Sequence, residues 1–271
     1  VAEVGLTLDG AGVVVTGAGS GIGAALARRF AAEGARVVVN DLDETACRAV
    51  ADEIGALAAP GDAASVEGVA ALVQASVTHL GDVDLFCANA GVAPFGGVEG
   101  PRAATPEGWA SAFEVNVLAH VRAAQALLPR WLERGSGRLL VTASAAGLLT
   151  MLGSAPYAVS KHAAVAFAEW LSASYAHRGI VVQALCPQGV RTPMLERTGR
   201  LGRALLEPDA VDTSVVADCV VEALRGDRFL VLPHPEVAAY LRAKASDPDA
   251  WLAGMNRLQR KVEGGSGASA G

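Results

Sequence analysis

The sequence predicts an α/β protein: a doubly wound, parallel β-sheet of about seven strands, covered by helices on both faces, in a single domain. Three observations carry that prediction. Short β-branched runs alternate with longer segments of helical spacing. The runs are apolar throughout rather than at every second residue, as in strands buried on both faces. No Pro- or Ser-rich linker and no internal repeat divides the 271 residues. With right-handed crossovers, a three-layer sandwich is the economical arrangement.

The first strand is expected over 13–16, where Val13-Val14-Val15-Thr16 stops at Gly17. Residues 21–33 then place Ile22, Leu26 and Phe30 on one helical face. A second strand at 36–41, a helix at 45–54 and a weak third strand at 56–61 follow. Next come a helix at 66–80 and a fourth strand at 83–88. One long helix over 107–133 leads to a fifth strand at 138–143, and a helix over 157–178 leads to a sixth at 180–185. A helix over 214–224 precedes a short last strand at 229–232. The domain is expected to run over 1–263, with a helical extension over about 234–263. There Asp247-Pro248 has the form of an N-cap followed by proline at the first helical position. Trp251, Leu252, Met255, Leu258 and Val262 follow at helical spacing. That stripe is core, a subunit contact or part of a pocket rim. Residues 264–271, rich in Gly, Ser and Ala, read as a flexible tail.

Charged residues make up 18%, below the roughly 25% of a soluble domain, which excludes a disordered, solvating chain. The apolar stretches are cut by Arg, Glu, Asp or Gly before the ~20 residues of a spanning helix. Residues 1–9 show no basic segment leading into an apolar one. The expectation is therefore a cytoplasmic protein with no membrane partner. A net charge of −6 leaves no basic footprint for nucleic acid. Cys47, Cys87, Cys186 and Cys219 lie far apart and read as reduced, buried residues. The five histidines form no ligand pair, so no metal is expected.

Thr16-Gly17-Ala18-Gly19-Ser20-Gly21-Ile22-Gly23 falls where the first strand becomes the first helix. Glycine permits the sharp turn, and a helix N-terminus presents free N–H groups and a positive dipole end to a pyrophosphate. Its place between a strand and a helix, with an acidic residue at the tip of the next strand, points to a dinucleotide. That residue is Asp41. A carboxylate there accepts hydrogen bonds from the adenosine ribose and repels a 2′-phosphate. Ser20 and Leu42 offer no cation for such a phosphate, so NAD is the expected cofactor.

Tyr157 and Lys161 are four apart at a helix start, about 6 Å along one face. Ser144 ends the fifth strand, at the sheet edge where ligands of open α/β sheets sit. A cation beside a phenol favours the phenolate and lowers its pKa from about 10. A tyrosine so tuned serves as general acid/base, and a serine hydroxyl beside it holds a substrate oxygen.

With these motifs in order, the chain from about Leu8 to Pro233 resembles the short-chain dehydrogenases/reductases of the ordinary, non-extended kind. The matching residues are the turn 16–23, Asp62, Asn89-Ala90-Gly91, Asn116, Ser144, Tyr157-Ala-Val-Ser-Lys161 and Pro187-Gln-Gly-Val-Arg-Thr192. The resemblance implies a seven-stranded Rossmann-type sheet and a homotetramer (or homodimer). It also implies that Tyr157 exchanges a proton with the alcohol or carbonyl oxygen and that Ser144 hydrogen-bonds the same oxygen. Lys161 would bind the nicotinamide ribose and depress the Tyr157 pKa. Asn116 would place, by backbone and amide, a water linking Lys161 to solvent. Asp62 with Ala63 would face the adenine, and Asn89, Ala90 and Gly91 would wall the adenosine ribose. Pro187, Gln188, Val190 and Thr192 would border the nicotinamide.

One departure stands out: Gln188 follows Pro187 where the family has glycine. It either takes part in substrate selection or turns outward. The substrate side is expected from Leu148, Leu149, Met151 and Leu152, from Val92 and Phe95, and from Met194 and Leu195. Arg191, Arg197, Arg200 and Arg203 read as solvated, so an uncharged, apolar secondary alcohol or ketone is favoured over an acid. Residues 196–212, within a substrate loop at 188–212, read as a mobile lid. Two alternatives to an NAD(H)-dependent dehydrogenase are a non-catalytic dinucleotide sensor and an NADPH-dependent biosynthetic ketoreductase. Retention of Ser144, Tyr157 and Lys161 argues against the first, and Asp41 against the second.

Overall fold

A computed structural model of the chain describes residues 5–100, 103–198 and 205–265. Seven parallel strands form its sheet: β1 (Gly12–Val15), β2 (Arg36–Val39), β3 (Leu57–Ala58), β4 (Leu85–Ala88), β5 (Gly137–Thr142), β6 (Ile180–Leu185) and β7 (Leu230–Val231). Their order is β3-β2-β1-β4-β5-β6-β7. The chain thus starts in mid-sheet, winds outward to β3, then returns to lay β4 on the other side of β1. That reversal opens a crevice at the carboxyl ends of β1 and β4, where a ligand site is expected physically.

Alternation along the strands divides the core. On one face Val14, Phe86, Leu139 and Val182 pack with α3 (Val66–Leu80), α5 (Ala119–Arg134) and α7 (Ala155–Tyr175). On the other, Val13, Val15, Leu85 and Leu140 pack with α1 (Gly21–Ala32), α2 (Glu44–Ile54) and α9 (Thr213–Leu224). The apolar composition is consumed by a sheet buried from both sides. Cys47, Cys87, Cys186 and Cys219 are free thiols; the first three are buried as expected, whereas Cys219 on α9 is only half-buried. Among the described residues no helix is long and apolar enough to cross a membrane.

Trp131 closes the first face. It is 1% exposed, its Nε1 donates to the Val83 carbonyl at 2.7 Å, and its ring lies where a Cβ on Gly137 would be, 2.2 Å away. Replacing a buried large aromatic by alanine costs about 3–5 kcal/mol through lost transfer energy and a cavity. Trp131→Ala is therefore expected to lower unfolding stability by that amount in urea titration; a loss below about 1 kcal/mol would contradict this packing.

Several boundaries differ from expectation. The long helix expected over 107–133 forms as one helical run from Pro106 to Arg134, but its middle is widened: a π-helical turn (Glu114–Leu118) joins α4 (Pro106–Phe113) to α5. The third strand is two residues, because only Val38 and Val39 pair with it before Pro60 removes a donor. Short helical turns lie at α6 (Ala146–Leu149) and α8 (Pro193–Glu196), the latter capped by Thr192 Oγ1 accepting from the Leu195 N–H at 3.3 Å. The extension forms two helices, α10 (Glu236–Ser246) and α11 (Pro248–Gly265). Asp247 Oδ1 accepts from the Ala250 N–H at 2.9 Å, so the expected cap forms. Of the stripe, Trp251 is half-buried against the core and meets the Tyr240 ring in a tilted contact, with centroids 6.3 Å apart. Leu252 instead points outward, since it sits one residue off that face. The Val262 side chain, and residues 266–271 of the tail, lie outside the described residues.

Candidate active site

One cavity of about 780 Å³ opens along the carboxyl ends of the strands. At one end the β1–α1 turn lines it through Gly17, Ser20, Gly21 and Ile22. Gly17 has φ +62, and a Cβ there would meet the Ala90 Cα at 2.8 Å. Ser20, the N-cap of α1, makes no side-chain cap bond, and the first turn carries no acidic residue. The N–H groups of that turn are left for an anion, with the helix dipole behind them. By contrast, the N-caps of α2, α3 and α4 (Asp43, Ser65, Thr105) all accept from their first turns.

Asp41 and Leu42 line the same end, with Asp62, Ala63, Asn89, Ala90 and Gly91. Asp41 Oδ2 accepts from the Gly19 N–H at 2.8 Å and Oδ1 from the Asp43 N–H at 2.9 Å. Its carboxylate is thereby fixed in place while facing the cavity. Asp62 Oδ1 accepts from the Ala64 N–H at 2.8 Å. Asn89 Nδ2 donates to the Thr16 carbonyl at 3.0 Å, stitching β4 to the turn. Gly19 and Gly23, expected to touch a cofactor, do not line the cavity. They shape the turn from behind: a Cβ on Gly23 would sit 2.2 Å from the Gly17 carbonyl oxygen. These features fit a dinucleotide: undischarged helix donors for its phosphates and a held carboxylate for a ribose.

At the other end Ser144, Tyr157 and Lys161 converge on the cavity wall. Ser144 follows β5, and its Oγ accepts from the Ala146 N–H at 3.1 Å. Tyr157 and Lys161 lie on α7, with Nζ 5.7 Å from the phenol ring centroid. Lys161 is 3% exposed, and Nζ donates to the Thr142 carbonyl at 2.8 Å. Burial pushes its ammonium down to about 8. Burial also pushes the Tyr157 phenol above its ordinary range, with the Ser144 hydroxyl pulling the other way. The expected lowering by Lys161 is not among these influences, and desolvation dominates in the protein alone.

Asn116 sits in the π-helical turn, fully buried behind the wall rather than on it. Its Oδ1 accepts from the Val92 N–H, and its Nδ2 donates to the Val92 carbonyl, both at 2.9 Å. Nδ2 also donates to Ser160 Oγ at 3.0 Å. Both amide donors are therefore spent on protein groups, while the backbone of the widened turn remains available to place a water.

Pro187, Gln188, Val190 and Thr192 line the cavity, as do Leu149, Met151, Val92, Phe95, Met194 and Leu195. Leu148 does not. Leu148 and Leu149 are both 7% exposed and both belong to the core, but α6 turns neighbouring residues about 100° apart and only Leu149 also reaches the cavity wall. Leu152 is likewise absent from the wall. Arg191 pairs with Asp212 at 3.0 Å, while Arg197 borders the cavity. Arg200 and Arg203, with 199–204 of the expected lid, lie outside the described residues. The base of that loop is closed by the Arg191 N–H donating to the Val211 carbonyl at 2.9 Å and the Val211 N–H to Gly189 at 3.1 Å.

Sequence reasoning missed three contributors. Thr16 Oγ1 accepts from the Asn89 and Ala90 N–H groups, each at 3.0 Å, and donates to the Cys87 carbonyl. Its place inside the glycine motif was a usable signal. Thr150, at the rim, holds φ +88 and ψ 167, a region nearly restricted to glycine. Glu236 contacts Gln188 from a distant helix, and nothing local to either residue announces it.

The strand order, the open helix N-terminus and the Ser144–Tyr157–Lys161 wall define an oxidoreductase that binds a nicotinamide dinucleotide. A family model described as short chain dehydrogenase matches residues 11–200, and the chain belongs to that family. It is 41% identical over 245 residues to the 1-deoxy-11-beta-hydroxypentalenate dehydrogenase of Streptomyces exfoliatus, covering 86% of each chain. It is 33% identical over 187 residues to the cyclohexanol dehydrogenase of an Acinetobacter species, covering 67% of this chain and 74% of that one. Among solved structures it is similar to a short chain dehydrogenase/reductase from Burkholderia phymatum in complex with NAD, with a TM-score of 0.81 and 28% identity. That match covers 90% of this chain and 96% of the other. Like its relatives, the protein is an oxidoreductase acting on CH–OH groups.

Proposed function

We propose that the protein interconverts a secondary alcohol and a ketone with NAD(H), using Tyr157 as the acid/base. The carrying observation is the convergence of Ser144, Tyr157 and Lys161 on a cavity whose far end holds Asp41 and the uncapped start of α1. When bound, the nicotinamide accepts or supplies the hydride.

The protein's residues supply the rest. In oxidation Tyr157 Oη takes the carbinol proton, and Ser144 Oγ holds the same oxygen. Lys161 favours the phenolate by its charge and binds the ribose; Asn116 acts behind it, fixing α7 and the Val92 loop that follows β4. Gly17, Ser20, Gly21 and Ile22 hold the phosphates, while Asp41 beside Leu42 takes the ribose hydroxyls and repels a 2′-phosphate. Asp62, Ala63, Asn89, Ala90 and Gly91 enclose the adenosine, and Pro187, Gln188, Val190 and Thr192 enclose the nicotinamide. Leu149, Met194 and Leu195 make an apolar substrate wall suited to an uncharged alcohol, in keeping with the cyclohexanol of one relative's name.

A homotetramer or homodimer is supported by exposed apolar residues around α4 and α7: Phe113, Leu118, Val159 and Trp170. The direct test mixes the protein with NAD⁺ or NADP⁺ and a panel of secondary alcohols, following reduced-cofactor absorbance. NADH formation with at least one alcohol, well ahead of NADPH formation, is expected. No turnover, together with no NADH binding by fluorescence, would overturn the reading.

A further inference from the structure

Gln188 lines the cavity, yet its side chain has a partner outside it. The Gln188 backbone N–H donates to Nδ1 of buried His234 at 3.2 Å, and Gln188 Nε2 donates to Glu236 Oε1 at 2.8 Å. Glu236 begins α10. Near the other end of that helix, Lys244 Nζ donates to the Leu148 carbonyl at 2.6 Å, in the turn that follows Ser144. A helix from the C-terminal extension is thus tied to both segments that flank the reacting end of the cavity.

We propose that Gln188 is a specificity-determining residue whose carboxamide oxygen accepts a hydrogen bond from a second hydroxyl of the substrate, and that Glu236 is the positioning residue that sets its orientation. The inference rests on the dehydrogenase reading above. A carboxamide has a donor end and an acceptor end, whereas an ionised carboxylate only accepts. Glu236 therefore takes the NH₂ end of Gln188, and flipping the amide would set oxygen against oxygen and lose a charge-assisted bond. Among the described residues nothing donates to Gln188 Oε1. Ser144 and Tyr157 are committed to the reacting oxygen, so Oε1 remains as an acceptor for another part of the substrate. A hydroxyl suits it. A carboxylate does not, because it would face a carbonyl oxygen backed by the Glu236 charge. The substrate class is a secondary alcohol, or its ketone, bearing a further hydroxyl.

The test compares kcat/KM for cyclic secondary alcohols with and without a second hydroxyl, cyclohexanol and the isomeric cyclohexanediols among them. The wild type is expected to favour at least one diol isomer by about tenfold, the size of one well-made hydrogen bond. Gln188→Met, similar in length but without the acceptor, erases that preference. Glu236→Ala lowers it while leaving NADH affinity unchanged. Glu236→Gln, whose own carboxamide oxygen accepts from Gln188 Nε2, restores it. The double variant Gln188→Met/Glu236→Ala matches Gln188→Met alone, as expected for residues acting through one contact. Equal diol preference in Gln188→Met and wild type would overturn the assignment, as would a wild type indifferent to the second hydroxyl. A Glu236→Ala loss that falls equally on both alcohols reduces Glu236 to a structural role and overturns its part. Failure of the wild type to oxidise any panel member would instead count against the dehydrogenase reading itself.

Discussion

Tyr157→Phe is expected to lower kcat for alcohol oxidation on the order of 10³-fold, within the range supplied by a positioned general acid/base. The substitution removes one oxygen atom from a half-buried ring held on α7 between buried Pro156 and Ala158, so the fold keeps its packing. The pH profile checks the role. Oxidation needs the phenolate, so wild-type kcat/KM rises with pH toward the phenol's pKa. Ketone reduction needs the neutral phenol, so its rate falls over the same interval. Burial raises the phenol and lowers Lys161 to about 8. Below that value Lys161 carries its charge and supports the phenolate; above it that support is lost. In Tyr157→Phe both profiles flatten. A variant retaining full activity, or one retaining the wild-type pH dependence at reduced rate, would remove Tyr157 from proton transfer.

The second large effect concerns cofactor choice. Asp41→Asn combined with Leu42→Arg is expected to shift the NAD⁺/NADP⁺ ratio of kcat/KM toward NADP⁺ by on the order of 10²-fold. Hydrogen bonds to a charged group contribute about 1.5–3 kcal/mol, and an added guanidinium matches a phosphate bidentately. Asparagine is chosen because its amide oxygen keeps the acceptor for the Gly19 N–H while the charge is removed, giving up only the exposed bond from the Asp43 N–H. Leu42 is 77% exposed, so arginine enters without disturbing the core. An unchanged ratio with intact folding would show that Asp41 holds the turn and does not select the cofactor.

The fold was largely legible because its signals are local. Every strand run of the sequence became a strand, and the resemblance carried the strand count. The misplaced features were those set by partners distant in the chain. The helix over 107–133 has no proline or glycine between 109 and 128 to announce its widened turn. Its π-helical turn accompanies Asn116 reaching Val92, a contact that exists only once β4 and α7 are in place. Leu148 and Leu149 read alike as apolar neighbours and both join the core, and only the direction of α6 brings one of them to the cavity wall as well. Leu252 fell on the expected stripe by spacing, yet the face of α11 that meets the core is centred on Trp251. The depressed pKa expected for Tyr157 weighed the nearby cation without the desolvation that burial imposes.

By itself the sequence determined the alternation of strands and helices, the glycine turn that leaves the α1 N-terminus open, and the acidic residue at the tip of β2. Each depends on residues within a few positions of one another, where backbone sterics and hydrophobic period act directly. The tertiary structure alone decided which groups share the cavity wall and how they are held. Asn116 spends its amide on Val92, Lys161 is anchored on Thr142, and Glu236 orients Gln188 across 48 residues of sequence. Such contacts are made by side chains whose separation is set by the whole winding of the sheet, so no local pattern can encode them.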